Sequence, residues 1–300
     1  MLQPRHTCPA LVSLFIASSL VLATVPASAA VLTALQFNVY RDGGSADWLL
    51  GNNRLLGDAF DNNDPYLGPN YTGFTTPAAY ALQGLADGAD AALAVRETGG
   101  ALLLDPNYGA VSANAQGGLG TSIRLRLLTN IVDANSGLPR SRSFAGALRL
   151  SLAALPDVGQ NFGLRLSDSF SNNNDVIELS ASGSASGTTI TFRKQDFVAG
   201  TVTALGSAAL VAPVGADALL LSISHATANT DTIFGSYAYA DASGALIGSY
   251  TTFASSTTAF DGEAYGRFEV RATGPVPEPG SWALLAAGLG GLSTRLRRQV

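Results

Sequence analysis

Alternating apolar and polar positions run through the second half of the chain. Between Thr121 and Leu127, three aliphatic side chains at alternate positions are separated by Arg124 and Arg126. A period of two places one side of a strand in a core and the other side outward. Similar short runs follow as far as Ala272, with turn-forming residues between them. The pattern therefore predicts a series of short β-strands.

The first predicted strand is near the start of the chain, and most of the others lie from Thr121 onward. In addition to Val31–Tyr40 and the run from Thr121, they are Phe144–Leu152, Phe162–Leu166, Val176–Ala181, Ile190–Arg193, Val202–Leu210, Ala218–Ser224, Ile233–Ala240, Ala245–Phe253 and Tyr265–Ala272. Since no dozen-residue helix separates them, alternating β-α units are excluded. We expect an all-β fold, an antiparallel β-sandwich of the jelly-roll type.

One earlier stretch allows two interpretations. Leu82 to Val95 has apolar side chains near helical spacing, but Gly84 and Gly88 weaken a helix. We favour a loop followed by a hairpin, in which Ala91–Arg96 and Ala101–Asp105 pair across Thr98-Gly99-Gly100.

The last 26 residues have a different character. Val276-Pro277-Glu278-Pro279 is a rigid, extended polar segment, and an uncharged run from Trp282 to Leu292 follows it. As a helix, that run would be about 16 Å long, whereas a full membrane span needs about 20 apolar residues. Arg295, Arg297 and Arg298 then supply a basic end suited to the cytoplasmic side of a membrane.

This tail resembles the PEP-CTERM sorting signal of Gram-negative bacteria. Val276, Pro277, Glu278 and Pro279 match its motif, Trp282–Leu292 its apolar segment, and the three arginines its basic end. The resemblance implies recognition by a membrane transpeptidase-like enzyme, the exosortase, cleavage near the motif, and export to the cell surface or matrix. A short C-terminal transmembrane helix would anchor the chain to the inner membrane only transiently.

The N-terminus predicts a secretory signal peptide with a signal helix. A weakly basic start precedes an apolar stretch, and Ala27 and Ala29 supply the small-x-small cleavage pattern. We expect the Sec machinery to export the chain and the mature protein to begin at Ala30. Cys8, the only cysteine, lies in the removed segment, so the mature body has no disulfide. The predicted divisions are a signal peptide at 1–29, a sandwich at 30–274 and a sorting signal at 275–300.

Charge excludes one class of partner. Four of the 17 basic residues and one of the 22 acidic residues lie in the two terminal segments, so the body carries 13 basic and 21 acidic side chains. An acidic body lacks the basic face that nucleic acid requires.

Two acidic, Asn-rich loops are the candidate binding sites. Their oxygen-bearing side chains are Asp58, Asp61, Asn63 and Asp64 in the first loop, and Asp168, Asn172, Asn174 and Asp175 in the second. Calcium prefers such ligands, but Asn and Asp are also the residues that turns prefer, and we favour turns. No other cofactor is predicted.

The residues give no catalytic site. His225 is the only histidine of the predicted mature body, and a position at a strand end or in a loop is favoured for it. Of the four glutamates in the body, Glu97, Glu178, Glu263 and Glu269, none forms a motif, although a carboxylate pair assembled from distant positions stays open.

The body also resembles the concanavalin-like and laminin-G-like jelly rolls often seen ahead of this sorting tail. The residues concerned are Phe162–Asp168, Asp175–Leu179 and Arg193–Thr201. The favoured hypothesis is an exported, non-catalytic surface or matrix protein. The alternatives are a lectin-like module that binds exopolysaccharide, with or without calcium, and then a polysaccharide hydrolase.

Overall fold

The computed structural model describes eleven stretches of the chain. They are residues 30–41, 54–60, 80–113, 119–127, 138–139, 143–167, 175–197, 199–226, 232–256, 264–265 and 267–275. All of them belong to one compact unit, Ser28–Pro277, while a second unit, Met1–Ala27 with Glu278–Val300, contains none of them. The predicted signal helix and C-terminal transmembrane helix lie outside the described residues.

Almost all regular structure in these stretches is β-strand. In chain order the strands are β1 (Leu32–Arg41), β2 (Arg54–Asp58), β3 (Tyr80–Gln83), β4 (Val95–Thr98), β5 (Ala101–Leu104), β6 (Ala110–Ala113), β7 (Leu119–Leu127), β8 (Leu138–Pro139), β9 (Phe144–Ser151), β10 (Asn161–Ser167), β11 (Val176–Ser184), β12 (Gly187–Asp196), β13 (Thr201–Ala209), β14 (Ala218–His225), β15 (Thr232–Ala240), β16 (Leu246–Ser256), β17 (Ala264–Tyr265) and β18 (Arg267–Pro275). One short α-helix, α1 (Ala91–Ala94), and the 3-10 turns Pro106–Tyr108 and Leu152–Ala154 complete the described elements.

The strands form two large antiparallel sheets. Sheet A has the order β16-β15-β14-β9-β1-β5-β4, with β2 also paired to β1. Sheet B has the order β13-β12-β11-β10-β18-β7-β3, with β6 also paired to β7. The sheets pack face to face, and the predicted antiparallel sandwich is confirmed.

Aliphatic and aromatic side chains from both sheets form one core between them. Leu148 and Leu221 enter it from sheet A, and Leu164 and Val270 enter it from sheet B. Gly146 on β9 shows how close the two layers come, because a Cβ atom there would lie 2.5 Å from the ring of Phe268. The ring of Phe268 therefore occupies the space that a side chain at position 146 would need.

The two sides of the sandwich end differently. On one side, β13 and β16 close sheets B and A, and they are nine and eleven residues long. The opposite ends of the sheets are β3 and β4, which have four residues each.

The predicted strands after Thr121 are confirmed, with bounds that shift by a few residues. The hairpin across Thr98-Gly99-Gly100 is confirmed as β4 and β5, and both glycines adopt positive φ. One part of that prediction is wrong: Ala91–Ala94 is a helical turn, because Asp90 caps it by accepting a hydrogen bond from the Ala92 N–H at 2.9 Å. The pattern also missed β2, β3 and β6.

Candidate functional site

The most distinctive chemistry in the described residues lies on the outer face of sheet B, the face turned away from sheet A. Alternation on the central strands of this sheet sends apolar side chains inward and charged side chains outward. Cross-strand register then aligns five charged residues, which we name the charge row. In order across β7, β18, β10, β11 and β12 they are Arg126, Glu269, Arg165, Glu178 and Arg193. Positive and negative charges thus alternate on directly paired positions of five neighbouring strands.

Glu178 on β11 is the first centre of this arrangement. Arg193 donates from Nη2 to Glu178 Oε1 at 2.6 Å. Arg271 on β18 donates from Nη1 to Oε2 at 3.2 Å, and Arg165 Nε lies 3.2 Å from the same oxygen. One carboxylate therefore serves three guanidinium groups.

Glu269 on β18 is the second centre. Arg126 Nε lies 2.5 Å from Glu269 Oε1, and Arg267 donates from Nε to the same oxygen at 3.4 Å. Arg165 donates from Nη1 to Oε2 at 3.4 Å. Because Arg165 contacts both carboxylates, it links the two centres into one network. With Arg124, Arg267 and Arg271, the charge row makes up the arginine–glutamate network.

The centre of the network is almost completely withdrawn from water. Arg165 is 1% exposed, and the side chains of Glu178 and Glu269 are 4% and 2% exposed. Burial alone would raise the pKa of each glutamate, but the adjacent arginines outweigh it and hold both pKa values below the ordinary range. Both glutamates are therefore ionised at neutral pH.

Among the described residues, the arginines of the network outnumber its carboxylates. Within the described residues, six guanidinium groups share two carboxylates. Burial lowers the pKa of Arg271 to about 10 and also lowers that of Arg124, and neighbouring arginines add to both shifts. These two like charges are directly paired on β18 and β7, an arrangement that is unfavourable without a counter-charge.

Two buried donors of the network mark where a counter-charge could bind. Arg124 Nε and Arg165 Nη2 are buried and have no hydrogen-bond partner among the described residues. A buried donor without a partner costs free energy, and guanidinium groups match carboxylate, sulfate and phosphate oxygens. The face is thus chemically suited to hold an anion.

Neither glutamate is suited to general-acid chemistry. Glu178 and Glu269 are two carboxylates that the network brings together, with Arg165 between them. Asp175 and Asp196 form a separate pair, in which burial and the neighbouring carboxyl raise the pKa of Asp175. A glycosidase needs one of its two carboxyls protonated near neutral pH, which requires a raised pKa. Here the arginines lower both pKa values.

The two predicted calcium loops are only partly described. Asp58 Oδ1 accepts a hydrogen bond from the Phe60 N–H at 2.8 Å, as turn-forming residues do. Asp175 Oδ1 accepts one at 3.2 Å from the N–H of Phe197, which is 22 residues away. The remaining predicted ligands, Asp61, Asn63, Asp64, Asp168, Asn172 and Asn174, lie outside the described residues. Among residues that are described, no group of three His, Cys, Asp or Glu is placed to hold a metal ion.

His225 ends β14, as predicted for a strand-end residue. It is fully buried, and its ring stacks on Phe144 with the two ring centroids 5.2 Å apart.

The sequence reasoning missed the arginine–glutamate network. The available signal was a charge at alternate positions of one strand, Arg267, Glu269 and Arg271, between buried apolar residues.

The predicted sorting residues, Val276 to Pro279, Trp282 and the three arginines, lie outside the described residues, as do Ala27 and Ala29. Comparison with protein families finds the tail: the model of the PEP-CTERM protein-sorting motif matches residues 275–298. The predicted sorting signal is thus found. It marks the chain as an exported protein that an exosortase processes at the membrane. In the described stretches, no helix has the length and apolar character needed for a membrane span.

Comparisons of the whole chain add little to this. No curated protein matches the sequence. Among solved structures, the crystal structure of the Emp47p carbohydrate recognition domain is similar, with 10% identity and a TM-score of 0.31 over 70% of this chain and 86% of that one. A similarity at this level does not bear on a ligand for this protein.

Proposed function

We propose that this chain is an exported protein whose sandwich is delivered to the cell surface or extracellular matrix, where it has a non-catalytic structural or interaction role. The single observation that carries the proposal is the sorting motif at residues 275–298. In this view the Sec machinery and the exosortase are its processing partners, and the inner membrane holds it only transiently.

Because the sorting motif follows the last strand, its position supports the proposal that the sandwich reaches the surface intact. The last strand, β18, ends at Pro275, where the motif match begins. β18 lies between β10 and β7 in the middle of sheet B. Cleavage upstream of Pro275 would therefore shorten or remove a central strand, whereas cleavage after Pro275 leaves every described strand in place.

The charge network supports a non-catalytic role. A hydrolase would need a carboxyl that gives up a proton to the leaving group. The carboxylate pair described here is held ionised by arginines, which is suited to structure or to binding.

Replacing Pro277, Glu278 and Pro279 with alanine tests the proposal in the native host. We expect the variant to stay unprocessed in the inner membrane, while the native protein reaches the surface fraction. A matched control replaces the exposed Asp157 with alanine and should be delivered normally. Unchanged surface delivery of the motif variant would contradict the role of the tail.

A second candidate function is binding of an acidic polysaccharide, and the arginine surplus favours it. Carboxylates of the polymer would accept hydrogen bonds from Arg124 Nε and Arg165 Nη2, two donors that have no hydrogen-bond partner among the described residues. Guanidinium groups in fixed positions bind such groups by charge and geometry together.

A glycan array with uronic-acid polymers and neutral polymers, read with and without a chelator, tests this candidate. Binding of the acidic polymers alone supports it, and loss of that binding in chelator would show the predicted help from calcium. Binding should weaken in Arg124→Gln and persist in Arg96→Gln, a half-exposed arginine of sheet A. No binding to acidic polymers in either condition removes the candidate.

A further inference from the structure

The strand that closes sheet B, β13 (Thr201–Ala209), lacks the charge, proline and short length that usually protect an edge, although its register against β12 shifts at Leu205. Within the described residues it pairs with β12 alone, and five of its first seven residues are exposed. It contains no charged residue and no proline. An unpaired strand edge presents free backbone donors and acceptors, and proteins normally block it with charge, proline or a very short strand.

The opposite side of the sandwich shows that protection. β4 and β3 have only four residues each, and β4 carries Arg96 and Glu97. β16, next to β13 on the bare side, is also free of charge and proline. The ring of its Phe253 lies over Gly206 of β13, so the two bare edges are adjacent.

Exposed apolar side chains cluster around the same strand. Of the seven large apolar residues that are exposed in the described stretches, four lie on β13 or close to its ends: Phe197, Val202, Val211 and Val214. Val214 is fully exposed, and Val211 is 74% exposed. Exposed apolar side chains at both ends of an uncharged strand edge suit an interaction surface.

The positions of these side chains suit a two-fold contact. Phe197 and Val202 lie at the start of β13, and Val211 and Val214 lie beyond its end. In an antiparallel pair of identical strands, the start of one faces the end of the other. Each apolar pair would then meet the other pair of the second copy, and two uncharged edges would meet without repulsion.

We propose that β13 pairs antiparallel with β13 of a second copy of this chain and extends sheet B across two molecules. The pairing is centred on Leu205, which has no partner on β12 because the register shifts there. Thr203 of one copy then faces Ser207 of the other. The proposal goes beyond delivery to the surface and gives the displayed body a partner.

The size of the contact is sufficient for a modest dimer. A nine-residue strand extends about 31 Å, and the two layers with their side chains are about 20 Å thick. The contact would bury about 600 Å² per copy, about 1,200 Å² in total, which is the lower limit of stable interfaces. We therefore expect association that depends on concentration.

Sedimentation equilibrium of the exported protein tests the proposal. The native protein should reversibly form dimers, and Thr203→Lys should raise the dissociation constant at least about tenfold because each dimer gains two like charges at the paired edge. The matched control, Thr98→Lys, places the same charge on the exposed end of β4 and should associate as the native protein does. A native protein that stays monomeric at about 100 μM, or equal association of Thr203→Lys, would overturn the proposal.

Cross-linking tests the register independently, because the predicted mature body has no cysteine. Strand pairing brings Cα atoms to about 4.5–5.5 Å, which a disulfide can span. Mild oxidation of a mixture of Thr203→Cys and Ser207→Cys should give a covalent heterodimer. A mixture of Thr98→Cys and Ser207→Cys should not, and equal yields from the two mixtures would contradict the pairing.

Discussion

The two faces of β18, a central strand of sheet B, are both buried, but they are stabilised by different physical effects. On β18, Phe268 and Val270 point into the apolar core, while Glu269 and Arg271 point to the outer face and join the ion network. Glu269 is 2% exposed, and Phe268 is 1% exposed. One alternating strand thus contributes to a core held by apolar contacts and to a layer held by paired charges.

This difference shows that alternation with a period of two does not by itself mean that one face of a strand is exposed to solvent. A buried carboxylate costs free energy unless its partners compensate it, so each face responds to different conditions. The apolar face should be insensitive to pH, whereas the charged face should lose its contribution when its carboxylates are protonated.

The largest loss of stability is expected from removing a large side chain from the apolar face of sheet B. Phe268→Ala removes a ring that packs edge-on against Phe144, with ring centroids 6.1 Å apart, and lies over Gly146. We expect the free energy of unfolding to fall by about 3–5 kcal/mol. Urea denaturation measures it, with Phe197→Ala as the control because that ring is 40% exposed. A loss no larger than in the control would contradict this role.

A somewhat smaller loss should follow from removing one charge of the network. Glu178→Gln keeps the size of the side chain but leaves Arg165, Arg193 and Arg271 without their shared carboxylate. We expect the free energy of unfolding to fall by about 3 kcal/mol. The exposed carboxylate variant Asp157→Asn should change it by less than about 0.5 kcal/mol. Equal effects of the two variants would show that the network contributes nothing.

The pH dependence should separate the two faces. Since the folded pKa values of Glu178 and Glu269 lie below the ordinary glutamate value, their stabilisation is complete above about pH 4.5 and is lost as the pH falls through the lowered values. Urea midpoints at pH 7, 5 and 3.5 should fall only at the last step. Phe268→Ala should follow the native profile, and Glu178→Gln should have a flatter one. If the urea midpoints of the native protein, Phe268→Ala and Glu178→Gln all fell in parallel, the pH dependence could not be assigned to Glu178 and Glu269.

The smallest effect on stability is expected from a change in salt concentration. Because the ion pairs are buried, dissolved ions screen them weakly. The difference in melting temperature between the native protein and Glu178→Gln should change by less than about 1 °C between 0.05 and 1 M NaCl. A difference that disappears in high salt would mean that the network is open to solvent.

The sequence was sufficient for features that depend on neighbouring residues. The strands after Thr121 follow from alternation, and the sorting signal can be recognised because its motif, apolar run and basic end are contiguous. Short strands such as β2 and β3 were missed because four or five residues carry too little pattern unless a clear turn joins two of them, as Gly99-Gly100 joins β4 and β5.

The network could not be predicted because its partners are distant in sequence. Arg165 and Glu269 are separated by 104 residues, and Arg271 and Glu178 by 93. Only strand order and register place them side by side. Likewise, the helical turn at Ala91–Ala94 depends on hydrogen bonds to the backbone and side chain of Asp90 rather than on periodicity.

Terminal peptide sequencing of the protein recovered from the cell surface tests the central claim most directly, namely that an intact sandwich is released from two processed ends. We predict an N-terminus at Ala30 and a C-terminus between Pro275 and Trp282. A surface protein that retains the apolar run from Trp282 to Leu292, or one that ends before β18 is complete, would contradict the account.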